Sequence, residues 1–231
     1  MRYRIWLIIF LFICTYTQAQ VERIDLAANK ILSITKTVIV DRDTLKKEVF
    51  KNYYSVNGDD SAEYYNDIRS FTYMAQKDED GRVVQLIRYD IKGNPDEWHK
   101  YKYNKDGSYN IEKIAQGAGT INLSYYDKRN WLMEEEIESS YSMIYQRNKN
   151  GRTQKILVRE KGSKDTEVIA QFYFDKKGLV TKGEGTTEGG STVFFKYNNK
   201  NLPIEIKTIY GDKKEKQKIE IMYLEYAYYE N

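Results

Sequence analysis

The sequence predicts an all-β fold: an antiparallel meander of repeated hairpins, curled into a half-open barrel or a long twisted sheet. Three observations predict it. Apolar and polar residues alternate with a period of two, as in Ile34-Thr35-Lys36-Thr37-Val38-Ile39-Val40, the period that places every second side chain on one sheet face. Turn residues punctuate these runs, among them Asn57-Gly58 and Asp78-Glu79-Asp80-Gly81, which suit tight reversals between strands. Aromatic residues are abundant, with 22 tyrosines in 231 residues. Disordered chains are poor in aromatic and β-branched residues, so this polar chain is expected to fold.

The first residues read as a targeting segment. Arg2 and Arg4 precede the apolar run Ile5 to Ile13, and Thr15 to Gln20 follow. A basic start, a short apolar core and a small-residue end make a secretory signal. A membrane-spanning helix needs roughly 20 apolar residues, so the run is too short to span. Thr17 and Ala19 place the cleavage after Ala19, giving a signal peptide over 1–19 and a single β-repeat domain over 20–231. An uncleaved anchor and lipidation at Cys14 are the alternatives. Ile13 stands where a lipidation signal wants a small residue. The protein is expected to be exported, periplasmic or extracellular. Cys14 is the one cysteine, so the exported chain has no disulfide, no thiolate nucleophile and no thiolate metal site.

Along the mature chain, Val21 to Leu32 reads as a short helix or an extended lead-in. Ile34 to Val40 is a strand, Asp41 to Thr44 a turn, and Glu48 to Val56 the return strand. Tyr64 to Ala75 is a further strand region. A unit then recurs: aromatic-x-aromatic, Asp or Asn, two polar residues, and Gly or Asn. Instances are Tyr101-Lys102-Tyr103-Asn104-Lys105-Asp106-Gly107, Phe172-Tyr173-Phe174-Asp175-Lys176-Lys177-Gly178 and Phe195-Lys196-Tyr197-Asn198-Asn199-Lys200-Asn201. Its turn positions Gly107, Asn130, Gly151, Gly178 and Asn201 recur at intervals of about 20 to 30 residues, within the range of repeat arrays. The Asp or Asn caps the turn, and the Gly or Asn takes positive φ. About 12 to 15 strands of ordinary length are expected.

The unit resembles the tyrosine–aspartate repeat of the RHS family, most clearly at Tyr89-Asp90-Ile91-Lys92-Gly93 and Phe174-Asp175-Lys176-Lys177-Gly178-Leu179. Tyr126-Asp127-Lys128-Arg129-Asn130-Trp131 departs by Asn for Gly, and Tyr145 has no Asp behind it. The resemblance covers about Phe71 to Ile206 and implies β-hairpin repeats. In its signal and its lysine- and tyrosine-rich style the chain also resembles small exported repeat proteins of Bacteroidota.

Alternation assigns faces. Tyr101 and Tyr103, Ala170, Phe172 and Phe174, Val193, Phe195 and Tyr197, and Leu202, Ile204 and Ile206 are expected on the core side. Ile121, Leu123 and Tyr125 define the core face of their strand, leaving Tyr126 out of phase unless a bulge intervenes. Trp98, Tyr173 and Phe194 fall on the wet side, and they are the candidate ligand-binding residues, since aromatics anchor interfaces.

Several chemistries are excluded. The net charge is +3 for the full chain and near zero once Arg2 and Arg4 are removed, so no nucleic-acid partner is expected. His99 is the one histidine, on the face of Tyr101 and Tyr103, where a packed or rim role is expected. No metal site and no cofactor are expected. No Gly-x-Ser-x-Gly elbow is present, and Asp78 to Gly81 lacks the ligand spacing of a calcium loop. Gly183, Gly185, Gly189 and Gly190 read as a flexible hairpin tip, and Glu134-Glu135-Glu136 as a solvated strand. The expected function is a non-catalytic exported β-repeat protein that binds a protein or a cell-envelope component, with no membrane span in the mature chain. A glycan-binding module using the wet-face aromatics is the alternative, and a carboxylate-dependent hydrolase a third. Export is checked by intact mass: the envelope-fraction protein should run from Gln20 to Asn231, and a diacylated species starting at Cys14 would overturn the assignment.

Overall fold

The computed structural model describes residues 28–41, 47–55, 60–137, 140–185, 190–211 and 217–230. The expected signal segment, most of Val21 to Leu32 and the expected Asn57-Gly58 turn lie outside them. Sixteen strands follow one another: β1 (Ile31–Val40), β2 (Lys47–Tyr54), β3 (Asp60–Tyr65), β4 (Ile68–Lys77), β5 (Val83–Tyr89), β6 (Pro95–Tyr103), β7 (Tyr109–Ala115), β8 (Gly119–Tyr126), β9 (Leu132–Ile137), β10 (Tyr141–Arg147), β11 (Thr153–Glu160), β12 (Glu167–Phe174), β13 (Val180–Gly185), β14 (Ser191–Tyr197), β15 (Pro203–Tyr210) and β16 (Lys218–Tyr228). Each pairs antiparallel with its sequence neighbours, and β1 pairs with β16, closing a barrel. The meander is as expected, but it is fully closed and not half-open. The closing ladder runs from Ile31 opposite Tyr228 to Val40 opposite Glu220. The strand count exceeds expectation in part because Tyr64 to Ala75 holds a reversal. Asn66 and Asp67 both take positive φ, 46° and 64°, which is the hairpin geometry that Asn and Asp tolerate.

The recurring turns share one design. In Asp127–Trp131 the amide of Asn130 donates to the Asp127 carbonyl at 2.9 Å. The Asp127 carboxylate accepts from the amides of Arg129 (2.8 Å) and Trp131 (3.0 Å). The same pair of amide bonds is made by Asn148 to Asn150 and Arg152, by Asp175 to Lys177 and Leu179, and by Asn198 to Lys200 and Leu202. Gly93, Gly107, Gly151, Gly178, Asn130 and Asn201 all hold positive φ, as the unit requires. Because these turns follow even-numbered strands, except the one at Gly93, they stand side by side at one end of the barrel and touch. A Cβ on Gly178 would meet the Asn150 side chain at 3.4 Å, and one on Gly151 would overlap the Trp131 ring.

The inner wall divides in two. Along β10 to β16 and β1 it is apolar. Met143, Tyr145, Ile156, Phe172, Val193 and Phe195 belong to a single buried cluster. The core faces of β6, β12 and β14 are as expected. Ile204 is not: the register slips between Lys196 and Tyr197 on the partner strand, and the bulge leaves Ile204 38% exposed. Gly183 and Gly185 are not a hairpin tip. They lie in β13 opposite Phe172 and Ala170 on one side and Val193 and Ser191 on the other, where an absent side chain leaves room for the rings beside them. Along β3 to β9 the inner wall mixes charged and polar groups with Leu86, Ile111 and a set of tyrosines, and there the face assignment of β8 inverts. Ser124 and Tyr126 point inward opposite Ile111 and Tyr109, with the Tyr126 and Tyr109 rings stacked at 4.8 Å. Leu123 and Tyr125 therefore point outward.

The turn ring makes a stability prediction. Gly178→Ala should cost about 1 kcal/mol, the strain of a left-handed non-glycine residue. Gly151→Ala carries the same strain plus the overlap with Trp131 and should cost distinctly more. In urea unfolding, Trp131→Ala introduced with Gly151→Ala should recover part of that difference. Equal costs at the two glycines would show that adjacent turns do not interlock.

Candidate functional site

Two features qualify: the polar stretch of inner wall and the outward aromatic positions. The inner wall is built by register. Arg88 on β5 stands opposite Glu97 on β6, and Leu86 opposite His99. On the next strand Ala115 faces Glu97 and Lys113 faces His99. His99 is 6% exposed, and its Nε2 bonds the Glu97 carboxylate. Arg88 approaches the other Glu97 oxygen at 3.4 Å and holds Asp96 with two nitrogens, each at 2.9 Å. Its guanidinium also lies 4.2 Å from the centre of the Phe71 ring. Burial works to raise the Glu97 pKa, but the bond from His99 and the charges of His99, Arg88 and Lys113 outweigh it and hold the carboxyl below its usual range. A buried carboxylate is retained only where such partners compensate its lost hydration.

Two further carboxylates face this group. Glu63 on β3 accepts a hydrogen bond from the Tyr73 hydroxyl at 2.6 Å, and the Tyr73 ring lies 6.3 Å from that of His99. Burial and the nearby carboxylates push the Tyr73 hydroxyl far above its ordinary range. Asp60 begins β3 opposite Tyr54. Burial pushes its carboxyl up, Glu63 adds to the rise, and Lys113, His99 and Lys36 offset it only in part. Farther round the wall Glu135 points inward and accepts from Tyr145 and from Ser124. The glutamate run of β9 is thus not uniformly solvated: Glu134 and Glu136 point outward to Arg159 and Tyr125, and Glu135 is an interior acceptor. His99 is the packed histidine expected, locked by its carboxylate. Among the described residues no group of three histidine, cysteine, aspartate or glutamate side chains could hold a metal ion.

The three outward aromatics do not form one site. Trp98 lies on β6, and Tyr173 and Phe194 on β12 and β14. Tyr173 and Phe194 share an outward row, each opposite Lys182. The Lys182 ammonium sits 5.6 Å from the Tyr173 ring centre, and the Tyr173 hydroxyl donates to Glu184 at 2.7 Å, while Tyr173 and Phe194 are each 41% exposed. Trp98 has different neighbours. Ile87 and Ile114 stand directly opposite it on its two flanking strands, and Met74 stands opposite Ile87. Met74, Ile87, Trp98 and Ile114 make a continuous apolar row across β4 to β7, in which Met74 is 55% exposed, Trp98 and Ile114 are half-buried and Ile87 is buried at 9%. Alternation alone found Trp98 but not the row, because membership depends on strand register.

Elsewhere the outer wall carries charged pairs beside exposed apolar residues such as Phe194, Ile204 and Tyr223. Lys196 pairs with Glu205 at 2.9 Å, Lys182 with Glu184, and Arg159 with Glu134.

Neither family models nor curated proteins match the sequence. Among solved structures, a porin-like protein from Bacteroides uniformis aligns over 85% of this chain and 98% of its own, at TM-score 0.44 and 9% identity. A chain of the Photorhabdus luminescens Tc holotoxin pore aligns over 78% of this chain, at TM-score 0.33 and 10% identity; the present chain spans 13% of it. A DUF1329 family protein from Desulfovibrio piger aligns over 90% of this chain and 89% of its own, at TM-score 0.21 and 8% identity.

The raised Asp60 carboxyl predicts a pH dependence. A carboxyl with a raised folded pKa binds its proton more tightly in the folded state. It favours folding at low pH and loses that contribution as pH rises above its ordinary value of 3.8. Asp60→Asn should therefore gain stability relative to wild type as pH rises from the acid range to neutrality. A stability difference that stays constant with pH in chemical denaturation would refute the assignment.

Proposed function

We propose that this chain is an exported, non-catalytic, water-soluble β-barrel of degenerate tyrosine–aspartate repeats, which binds a protein or cell-envelope component through the outward row of β4 to β7. The observation that carries the reading is the inversion of that arc. The inner wall holds Arg88, Glu97, His99 and Lys113, while the outer wall presents Met74, Ile87, Trp98 and Ile114. A contiguous apolar row of this kind marks an interaction surface, and a tryptophan within it is the residue type enriched at hot spots. The charged pairs on the rest of the exterior speak against a lipid-embedded wall. His99 supports the non-catalytic reading, since its Nε2 is committed to Glu97, whose charge Arg88 and Lys113 already balance. The reading needs no cofactor and no nucleic acid.

The experiment is a pull-down from envelope extract with four forms of the protein. Trp98→Ala should reduce recovery of the partner by about tenfold or more, the effect of losing a hot spot worth over about 1.4 kcal/mol. Phe194→Ala and His99→Gln should recover it as wild type does. Equal recovery with Trp98→Ala would remove the row from consideration, and a hydrolytic activity abolished by His99→Gln would overturn the non-enzyme reading.

A further inference from the structure

The end of the barrel where β3 turns into β4 and β5 into β6 differs from the end with the interlocked turns. Here the two turns carry the most solvent-exposed large apolar side chains among the described residues, Ile68 at 69% and Ile91 at 66%. Each is followed directly by a cation, Arg69 and Lys92. Between the start of β4 and the β5–β6 turn lies a cavity of about 290 Å³, whose lining includes Arg69, Phe71, Asp90, Ile91 and Lys92. Small-molecule sites start near this size and combine apolar walls with a few polar groups.

The charges of this groove are not balanced internally. Asp90 is its one carboxylate, and that carboxylate is already engaged. It accepts from the amides of Lys92 and Asn94, both at 2.8 Å, and from the Asn94 side chain at 3.3 Å. Those bonds, with the nearby charge of Lys92, hold the Asp90 carboxyl below its usual range, and Arg69 and Lys92 against Asp90 alone leave the groove with a net positive charge. Neither Arg69 nor Lys92 makes an ion pair among the described residues. Phe71 supplies an aromatic wall whose ring is fixed by Arg88, and Arg88 is itself anchored on Asp96 and Glu97. The wall is therefore held in place by interactions that a ligand need not provide.

We propose that this groove binds a small amphipathic anion, a carboxylate or sulfonate carried on an apolar body. The anionic end meets Arg69 and Lys92, and the apolar body lies against Phe71 and Ile91. The site is separate from the Trp98 row and stands or falls independently of it.

The test is a fluorescence titration of the full chain with anilinonaphthalene sulfonate, with octanoate and octanol as competitors. Saturable binding is expected, displaced by octanoate and not by octanol. The double variant Arg69→Gln with Lys92→Gln should weaken it about tenfold, equivalent to about 1.4 kcal/mol. Ile91→Asn should weaken it also, while Lys207→Gln on the opposite arc and Trp98→Ala should leave it unchanged. All the substituted positions are exposed or half-exposed, and near-ultraviolet circular dichroism checks that each variant keeps its fold. Wild-type affinity in the double variant, displacement by octanol as strong as by octanoate, or loss of binding in Trp98→Ala would each overturn the proposal.

Discussion

The pairing of β1 with β16 is the contact on which the rest of the molecule depends. Without it, the first and last strands would each present a row of unpaired amides and carbonyls to water, an open edge that invites association with another chain. With it, every strand has two partners and the sheet has no edge. Closure carries particular weight in a chain whose one cysteine is Cys14, so that the sixteen strands have no disulfide to staple them. Its order comes from ladder hydrogen bonds and from the side chains packed along the inner wall. Tyr229 reinforces the seam from outside the strands, donating its amide to the Lys30 carbonyl and its hydroxyl to the Tyr54 carbonyl.

Closure of a meander also dictates where turns go. Turns after even strands share one end and turns after odd strands the other. The repeat places its compact Asp- or Asn-capped reversals at the first end, where Trp131 covers Gly151 and Asn150 approaches Gly178. Arg129 stacks on the Trp131 ring at 3.6 Å, so the unit that reverses the chain also packs against its neighbour. The second end keeps this pattern only at Asp90–Asn94 among its described turns. Its turns vary in length and sequence, and the exposed Ile68 and Ile91 are among their residues. A rigid ring at one end and divergent loops at the other is a division of labour that a repeat permits, since residues free of the turn chemistry can take up recognition.

The polar and apolar halves of the inner wall follow from the same closure. A barrel this wide does not need an apolar residue at every inward position. Where Phe172, Phe195, Met222 and their neighbours fill the interior, burial of apolar surface drives packing at about 25 cal/mol per Å². Where Arg88, Glu97, His99 and Tyr73 meet, stability rests on compensation: each buried charge or hydroxyl has a partner, and the carboxyls shift according to how complete that partnering is. Glu97, bonded by His99 and near Arg88 and Lys113, is held low, while Asp60, buried and near Glu63, is pushed up.

The sequence by itself determined what depends on neighbours along the chain. Period-two alternation marked the strands, and the Asp or Asn followed by Gly or Asn marked the turns down to the sign of φ at Gly178 and Asn201. These are local preferences of backbone and side chain, and they act whatever the rest of the molecule does. Tertiary structure decided what depends on residues far apart. Ile31 finds Tyr228 only when the whole sheet has curled, so closure was not legible. The faces of β8 were misread because alternation assumes an apolar interior, and Asn122 and Ser124 line a polar one. Trp98 was legible as an outward aromatic, but its row with Met74, Ile87 and Ile114 is a property of register across four strands. The ionic cluster about His99 likewise draws on β3 to β7. No local pattern announces it, because a buried charge is made tolerable only by partners that folding brings to it.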